Sequence, residues 1–275
     1  MKHSILFAAM LLILASCQNG SNNEGIVTYK FNIIGDFNTR GELVADGSAM
    51  TDIWVLDYMN NTFVQQIHQS SSDADFGSPV ITLRYGDHHL YFVASRGKNP
   101  SIDINAGMLT FSSASDTFWK DYELSVESGN AGNVSVVLNR IVSKLRIVVG
   151  DAVPEGAASF NITPHTWYRG FNYMTGSPTS ALTDNTSVIS IPSSVIGTTD
   201  VTVSLFSFSP STEWTTNIVI AGKNSSGEVI GSATASNVPF VRNRITSLSG
   251  NLFSQVNTSG ITLNTEWESP TELSW

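Results

Sequence analysis

Apolar and polar residues alternate along much of this 275-residue chain with the two-residue period of half-buried β-strands. Ile26-Val27-Thr28-Tyr29-Lys30-Phe31-Asn32-Ile33 is the clearest run, with Val27, Tyr29, Phe31 and Ile33 on one face and Thr28, Lys30 and Asn32 on the other. Residues 53–58 and 62–66 flank Asn60-Asn61, and asparagine tolerates the positive φ that a tight hairpin turn requires. Residues 80–85 and 88–94 flank Gly86-Asp87 and read as a second hairpin. Short apolar runs follow at 108–111 and 134–138, and strong alternation returns at 144–149, 201–206, 217–220 and 261–267. No amphipathic helix longer than about two turns stands out. Short strands with turn signals every ~8–12 residues predict an all-β protein built from sandwiches or barrels. At this length two sandwiches are expected, meeting near residues 139–143.

The first seventeen residues follow another logic. One lysine, then roughly 11 apolar residues from Ile5 to Ala15, then small residues, has the layout of a secretory signal. The run is shorter than the ~20 apolar residues that cross a bilayer. Leu14-Ala15-Ser16-Cys17 resembles a bacterial lipobox, in which the cysteine is acylated and becomes the new N-terminus. The expected organisation is a signal peptide at 1–16, a lipidated tether at 17–25 starting with Cys17, and sandwiches at 26–140 and 141–275. Several acyl chains on one residue would hold the outer membrane far more firmly than one.

Composition narrows the partners. Residues 1–16 carry Lys2 and no acid, so without them 13 Lys+Arg face 23 Asp+Glu, a balance of −10. Nucleic acid is not an expected partner, because phosphate backbones demand clustered Lys and Arg. Cys17 is the only cysteine, so no disulfide can staple the fold, and stability must come from core burial and sheet hydrogen bonds.

Candidate chemistry is sparse. His88 and His89 are consecutive on an expected strand and point to opposite faces; His68 and His165 stand alone. All four read as surface or sheet-edge imidazoles, and neither a metal nor a cofactor is expected. Asp73 and Asp75 read as solvent-facing charges in a serine-rich loop. With no nucleophile elbow, Walker glycine loop or H-E-x-x-H spacing, no catalytic residue is assigned and no enzyme is expected. The aromatic clusters Phe118-Trp119-Lys120-Asp121-Tyr122 and Trp167-Tyr168-Arg169-Gly170-Phe171-Asn172-Tyr173 leave two readings open. They pack between sheets, or they form a stacking platform for sugars, which would make the protein a surface glycan-binding lipoprotein.

Several segments together resemble the fimbrillin superfamily of type V pili, in particular its lipoprotein anchors and minor subunits. After the lipobox, residues 26–34 are similar to the family's first strand, and Asn38-Thr39-Arg40-Gly41 sits where fimbrillins carry an arginine before a small residue. Asp52-Ile53-Trp54-Val55-Leu56-Asp57-Tyr58, His89-Leu90-Tyr91-Phe92-Val93-Ala94-Ser95-Arg96-Gly97 and Leu138-Asn139-Arg140-Ile141-Val142-Ser143-Lys144-Leu145 follow in the family's order. Val238-Pro239-Phe240-Val241-Arg242-Asn243-Arg244-Ile245-Thr246 resembles its arginine-asparagine turn, and Ile261 to Trp267 its terminal strand.

The resemblance implies two consecutive transthyretin-like β-sandwich domains and a structural, non-enzymatic role at the cell surface. It also implies cleavage after Arg40, departure of a first strand plugged by Val27, Tyr29, Phe31 and Ile33, and its replacement by a donor strand bearing Ile261, Leu263 and Trp267. The implied partners are other fimbrial subunits and the outer membrane, reached through lipid on Cys17. Host or bacterial surface ligands are left open.

Overall fold

The computed structural model describes residues 25–34, 50–96, 100–129 and 132–254, together with the backbone of Ile261–Asn264. Most of these residues are in β-strands, as the alternation predicts, with one helical turn among them, a 3-10 turn at Ser193–Val195. In the first half the strands are β1 (Ile26–Ile34), β2 (Asp52–Met59), β3 (Thr62–Ser70), β4 (Val80–Arg84), β5 (Gly86–Ser95), β6 (Ser101–Asp103), β7 (Met108–Thr110), β8 (Thr117–Val126), β9 (Gly132–Val137) and β10 (Asn139–Arg140). The second half supplies β11 (Val142–Val149), β12 (Ala157–Pro164), β13 (Thr166–Asn172), β14 (Ser177–Thr183), β15 (Ser187–Ser190), β16 (Val201–Phe208), β17 (Trp214–Asn224), β18 (Val229–Phe240), β19 (Ile245–Gly250) and β20 (Ile261–Asn264).

One strand topology occurs twice. In the first half β1 lies between antiparallel β4 and parallel β9, facing a sheet in which β2 joins β3 to β5 and β5 continues to β8 and β10. In the second half β11 lies between antiparallel β16 and parallel β19, and β12 joins β15 to β17, which continues to β18. Thus β1, β2, β3, β4, β5, β8 and β9 have the same neighbours as β11, β12, β15, β16, β17, β18 and β19. Each copy carries one insertion, β6 and β7 in the first, β13 and β14 in the second. The two insertions pair with each other, Leu109 opposite Phe171, into a fifth sheet ordered β14-β13-β7-β6.

Three apolar cores follow from this arrangement. Val27 through Leu138 supply the first and Leu145 through Leu252 the second, while a third draws on both halves. β2 and β5 explain how. Their sequences read as nearly continuous apolar runs because both faces are covered, the pattern of a middle layer. Ile53, Val55, Leu90 and Phe92 enter the first core, whereas Trp54, Leu56, Tyr58, Tyr91 and Val93 point the other way, against Leu109, Phe171, Tyr173 and Phe208.

The hairpin at Asn60-Asn61 is present, with φ of 51° and 59° and Met59 paired to Thr62 across a two-residue turn. The second expected hairpin is not. Gly86-Asp87 belongs to β5, which pairs with β2 and β8, whereas β4 pairs with β1. At Tyr85 the chain crosses from one sheet to the other, and a local turn signal does not distinguish a crossing from a hairpin.

Candidate functional site

β1 is the part of the molecule that the sequence marks most strongly, and its seat can be built residue by residue. Its side chains alternate between exposed and buried from end to end. Val27, Tyr29, Phe31 and Ile33 are buried, Phe31 completely, and their gross burial contributes on the order of 10 kcal/mol. Phe31 meets Phe92 edge to face at 5.0 Å and Tyr122 at 6.2 Å. Burial, with the nearby Tyr122 in second place, raises the Tyr29 phenol above its ordinary pKa, and its hydroxyl has no hydrogen-bond partner among the described residues. The backbone is held on both sides. Val27 sits opposite Leu83 and Tyr29 opposite Ile81 on β4; Phe31 sits opposite Val134 and Ile33 opposite Val136 on β9. Beyond the β4 ladder, the Phe31 and Ile33 amides donate to Pro79 and Gly77 carbonyls at 2.9 Å.

At the other end of the chain, β20 places Ile261 and Leu263 at alternate positions along the edge of the second sandwich. Ile261 is opposite Gly250 and Leu263 opposite Leu248 of β19. Cys17, Arg40 and Trp267 lie outside the described residues.

Basic segments singled out in the sequence meet between the two halves. Asp116 is fully buried beside β8 and receives Arg140 Nε at 2.7 Å and Nη2 at 3.3 Å, with Arg96 Nε 3.9 Å away. Arg140 also lies over the Phe118 ring, 4.6 Å from its centroid, and donates to Asn243 Oδ1 at 2.9 Å. Arg242 donates to the Ser209 and Gly176 carbonyls at 2.8 and 2.9 Å, and burial lowers its pKa. Asp116 carries no sequence signal of its own; the arginines it gathers do.

One expectation about a side chain is corrected. His88 is not a surface or sheet-edge imidazole. It is buried, with Nδ1 2.6 Å from Asp57 Oδ1 and Nε2 2.9 Å from the Arg84 carbonyl. His68, His89 and His165 remain partly exposed, each beside an acid: Asp52 at 2.8 Å, Asp121 at 3.5 Å and Asp184 at 3.0 Å. Among the described residues, no group of three or more His, Cys, Asp or Glu could hold a metal ion.

Most of the aromatic side chains in the two clusters pack between sheets, with Trp119, Tyr122 and Tyr168 half-buried. Trp167 and Tyr173 are buried. Trp167 donates to the Phe206 carbonyl at 2.9 Å and sits edge to face on Phe240 at 5.4 Å. Trp119 donates to the Tyr173 carbonyl at 3.1 Å, and Tyr168 leans on Trp214 at 5.4 Å.

Solved structures share this fold. The chain is similar to a protein proposed to bind polysaccharide from Bacteroides thetaiotaomicron, with TM-score 0.55 and 10% identity over 88% of this chain and 97% of that one. It is similar to a protein proposed as an adhesin from Bacteroides ovatus, with TM-score 0.54 and 11% identity over 85% and 88% of the two chains. The tip fimbrial protein Mfa3 from Porphyromonas gingivalis aligns with TM-score 0.46 and 13% identity over 86% and 98%. At these identities the likeness is one of fold, and the all-β architecture anticipated from the sequence is the one observed. No curated protein matches the sequence. A model of a family of unknown function, DUF6562, matches residues 103–274, from the end of β6 through the second sandwich.

Proposed function

The chain belongs to this DUF6562 family of unknown function, and we propose that it is a non-enzymatic outer-membrane lipoprotein serving as a fimbrial subunit or anchor, joined to its partners by strand exchange or complementation. The seat of β1 carries the reading: a nine-residue strand near the start of the chain lies between β4 and β9 with every second side chain in the core. Withdrawing it would part β4 from β9, leave unpaired backbone groups on both and open four apolar pockets. An incoming extended strand satisfies such an edge. The matching donor is the terminal segment of another copy or of a related subunit, with Ile261, Leu263 and Trp267 as its plugs. Cys17 supplies the lipid, and Arg40 is the site at which a protease would release β1. If Arg40 is left uncut, the same lipid holds the base of a fibre to the membrane.

Treating the exported precursor with an arginine-specific protease and sequencing its N-terminus tests the processing step. Gly41 as first residue supports a polymerising subunit; uncut, lipid-bearing protein at the base of fibres supports an anchor. Protein that neither joins fibres nor accepts a C-terminal strand peptide would overturn the reading.

A further inference from the structure

Asp151 lies just beyond β11 and accepts three consecutive backbone amides from a segment about a hundred residues away. Leu252 N–H donates to Oδ1 at 2.8 Å, and Phe253 and Ser254 N–H donate to Oδ2 at 2.7 and 2.6 Å. That segment follows β19 and leads toward β20. A second feature also borders it. Gly222 and Gly231 are cross-strand partners on β17 and β18. A Cβ at Gly231 would run into the Leu252 carbonyl, and one at Gly222 into the Phe253 ring. The paired glycines therefore form a notch in which the segment lies, with Leu252 buried in the second core and the Phe253 ring 6.1 Å from Phe160.

We propose that Asp151 and the Gly222–Gly231 notch form a buckle that fixes the start of the C-terminal segment and so keeps β20 seated on β19 of its own sandwich. Three charge-assisted bonds from one carboxylate fix three successive residues in place, which a loop of ordinary polar residues would not do. The β19–β20 ladder spans only four residue pairs, too few to hold a strand firmly without such an anchor. Partial burial of Asp151 opposes its ionisation, but the three backbone donors and Ser254 outweigh this and hold its pKa below the usual carboxylate value. If β20 is a donor strand, a role that rests on the reading above, the buckle decides whether a copy keeps that strand or gives it away.

Hydrogen exchange on the full chain tests the buckle. Asp151→Asn keeps the shape of the side chain but offers one acceptor oxygen, and Gly231→Ala intrudes on the same segment without touching charge. Both should speed amide exchange in residues 245–254 and 261–264 by about tenfold or more, while residues 218–221 of β17 keep native protection. Unchanged exchange in both variants, or faster exchange throughout the sandwich, would overturn the buckle. Local loosening in a protein that never joins fibres would support the buckle and sink the pilus reading.

Discussion

Phe31 of β1 meets Phe92 of β5 edge to face, with ring centroids 5.0 Å apart and neither ring exposed to solvent. The strand proposed to leave is thus bound to the opposite sheet through the middle of the first core. Phe31→Ala should cost about 3–5 kcal/mol of unfolding free energy in urea, through lost transfer energy and the cavity left behind. Asn32→Ala, on the exposed face of the same strand, should change stability by less than about 0.5 kcal/mol. Equal effects would mean that β1 is not seated by its plugs.

Asp57 and His88 form a sealed pair, with Gln65 Nε2 donating to the second carboxylate oxygen at 3.2 Å. Removing one member strands the other in the interior. Asp57→Ala and His88→Ala should each cost about 3–5 kcal/mol, and the double variant should cost clearly less than their sum. A double-mutant cycle by denaturant unfolding checks this, and additivity would mean that the pair is not coupled.

Asp116 ties Arg140 and, through it, Asn243 into one network across the halves. Asp116→Ala should cost about 3–5 kcal/mol, because two guanidinium groups lose their buried counter-charge. Arg140→Lys should also destabilise, since an ammonium replaces neither the fork on Asp116 nor the stacking on Phe118. Limited proteolysis followed by N-terminal sequencing should find new cuts near residues 139–143 in both variants.

Alkaline pH probes the third core. The Tyr58 hydroxyl donates to the Ile104 carbonyl at 2.6 Å and so accepts from Tyr173 at 2.7 Å. Burial, reinforced by Asp121, Tyr58 and Glu123, pushes the Tyr91 phenol up to about 12, and burial raises Tyr58 and Tyr173 as well. The folded protein therefore favours the neutral phenols. Their contribution is fully present below pH 10 and is lost as pH rises toward about 12, because the unfolded chain ionises first. Thermal melts between about pH 9 and pH 11 (about one pH unit to either side of the ordinary phenol value) should show a smaller drop for Tyr91→Phe than for the native chain.

What the sequence disclosed was what short range can encode. β1, β11 and the Asn60-Asn61 turn were legible because alternation and positive-φ tolerance are properties of a few adjacent residues. The pairing of Leu109 with Phe171 was not, since β7 and β13 are short or irregular in pattern and lie in different halves. His88 was misread for a related reason: a histidine beside a histidine on a strand looks exposed until Asp57, on the neighbouring strand, supplies its partner. Trp167 and Tyr173 allowed two readings until Phe240 of β18 and Tyr58 and Tyr91 of β2 and β5 gave them something to pack against. Asp151, Gly222 and Gly231 had no local signature, because the segment they hold comes from elsewhere in the chain.

The parallel pairing of β1 with β9 also sets an order of events in time. Ile34 lies opposite Val137, so β1 cannot complete its place until about 100 further residues have been made and delivered. Closing so long a loop is slow relative to forming the β2–β3 hairpin, which closes over two residues. Each newly made chain thus passes through an interval in which β1, already able to pair with β4, presents an unfilled edge where β9 will lie. The first sheet is therefore finished by the strand that comes last in sequence, and until β9 arrives β1 has a neighbour on one side only.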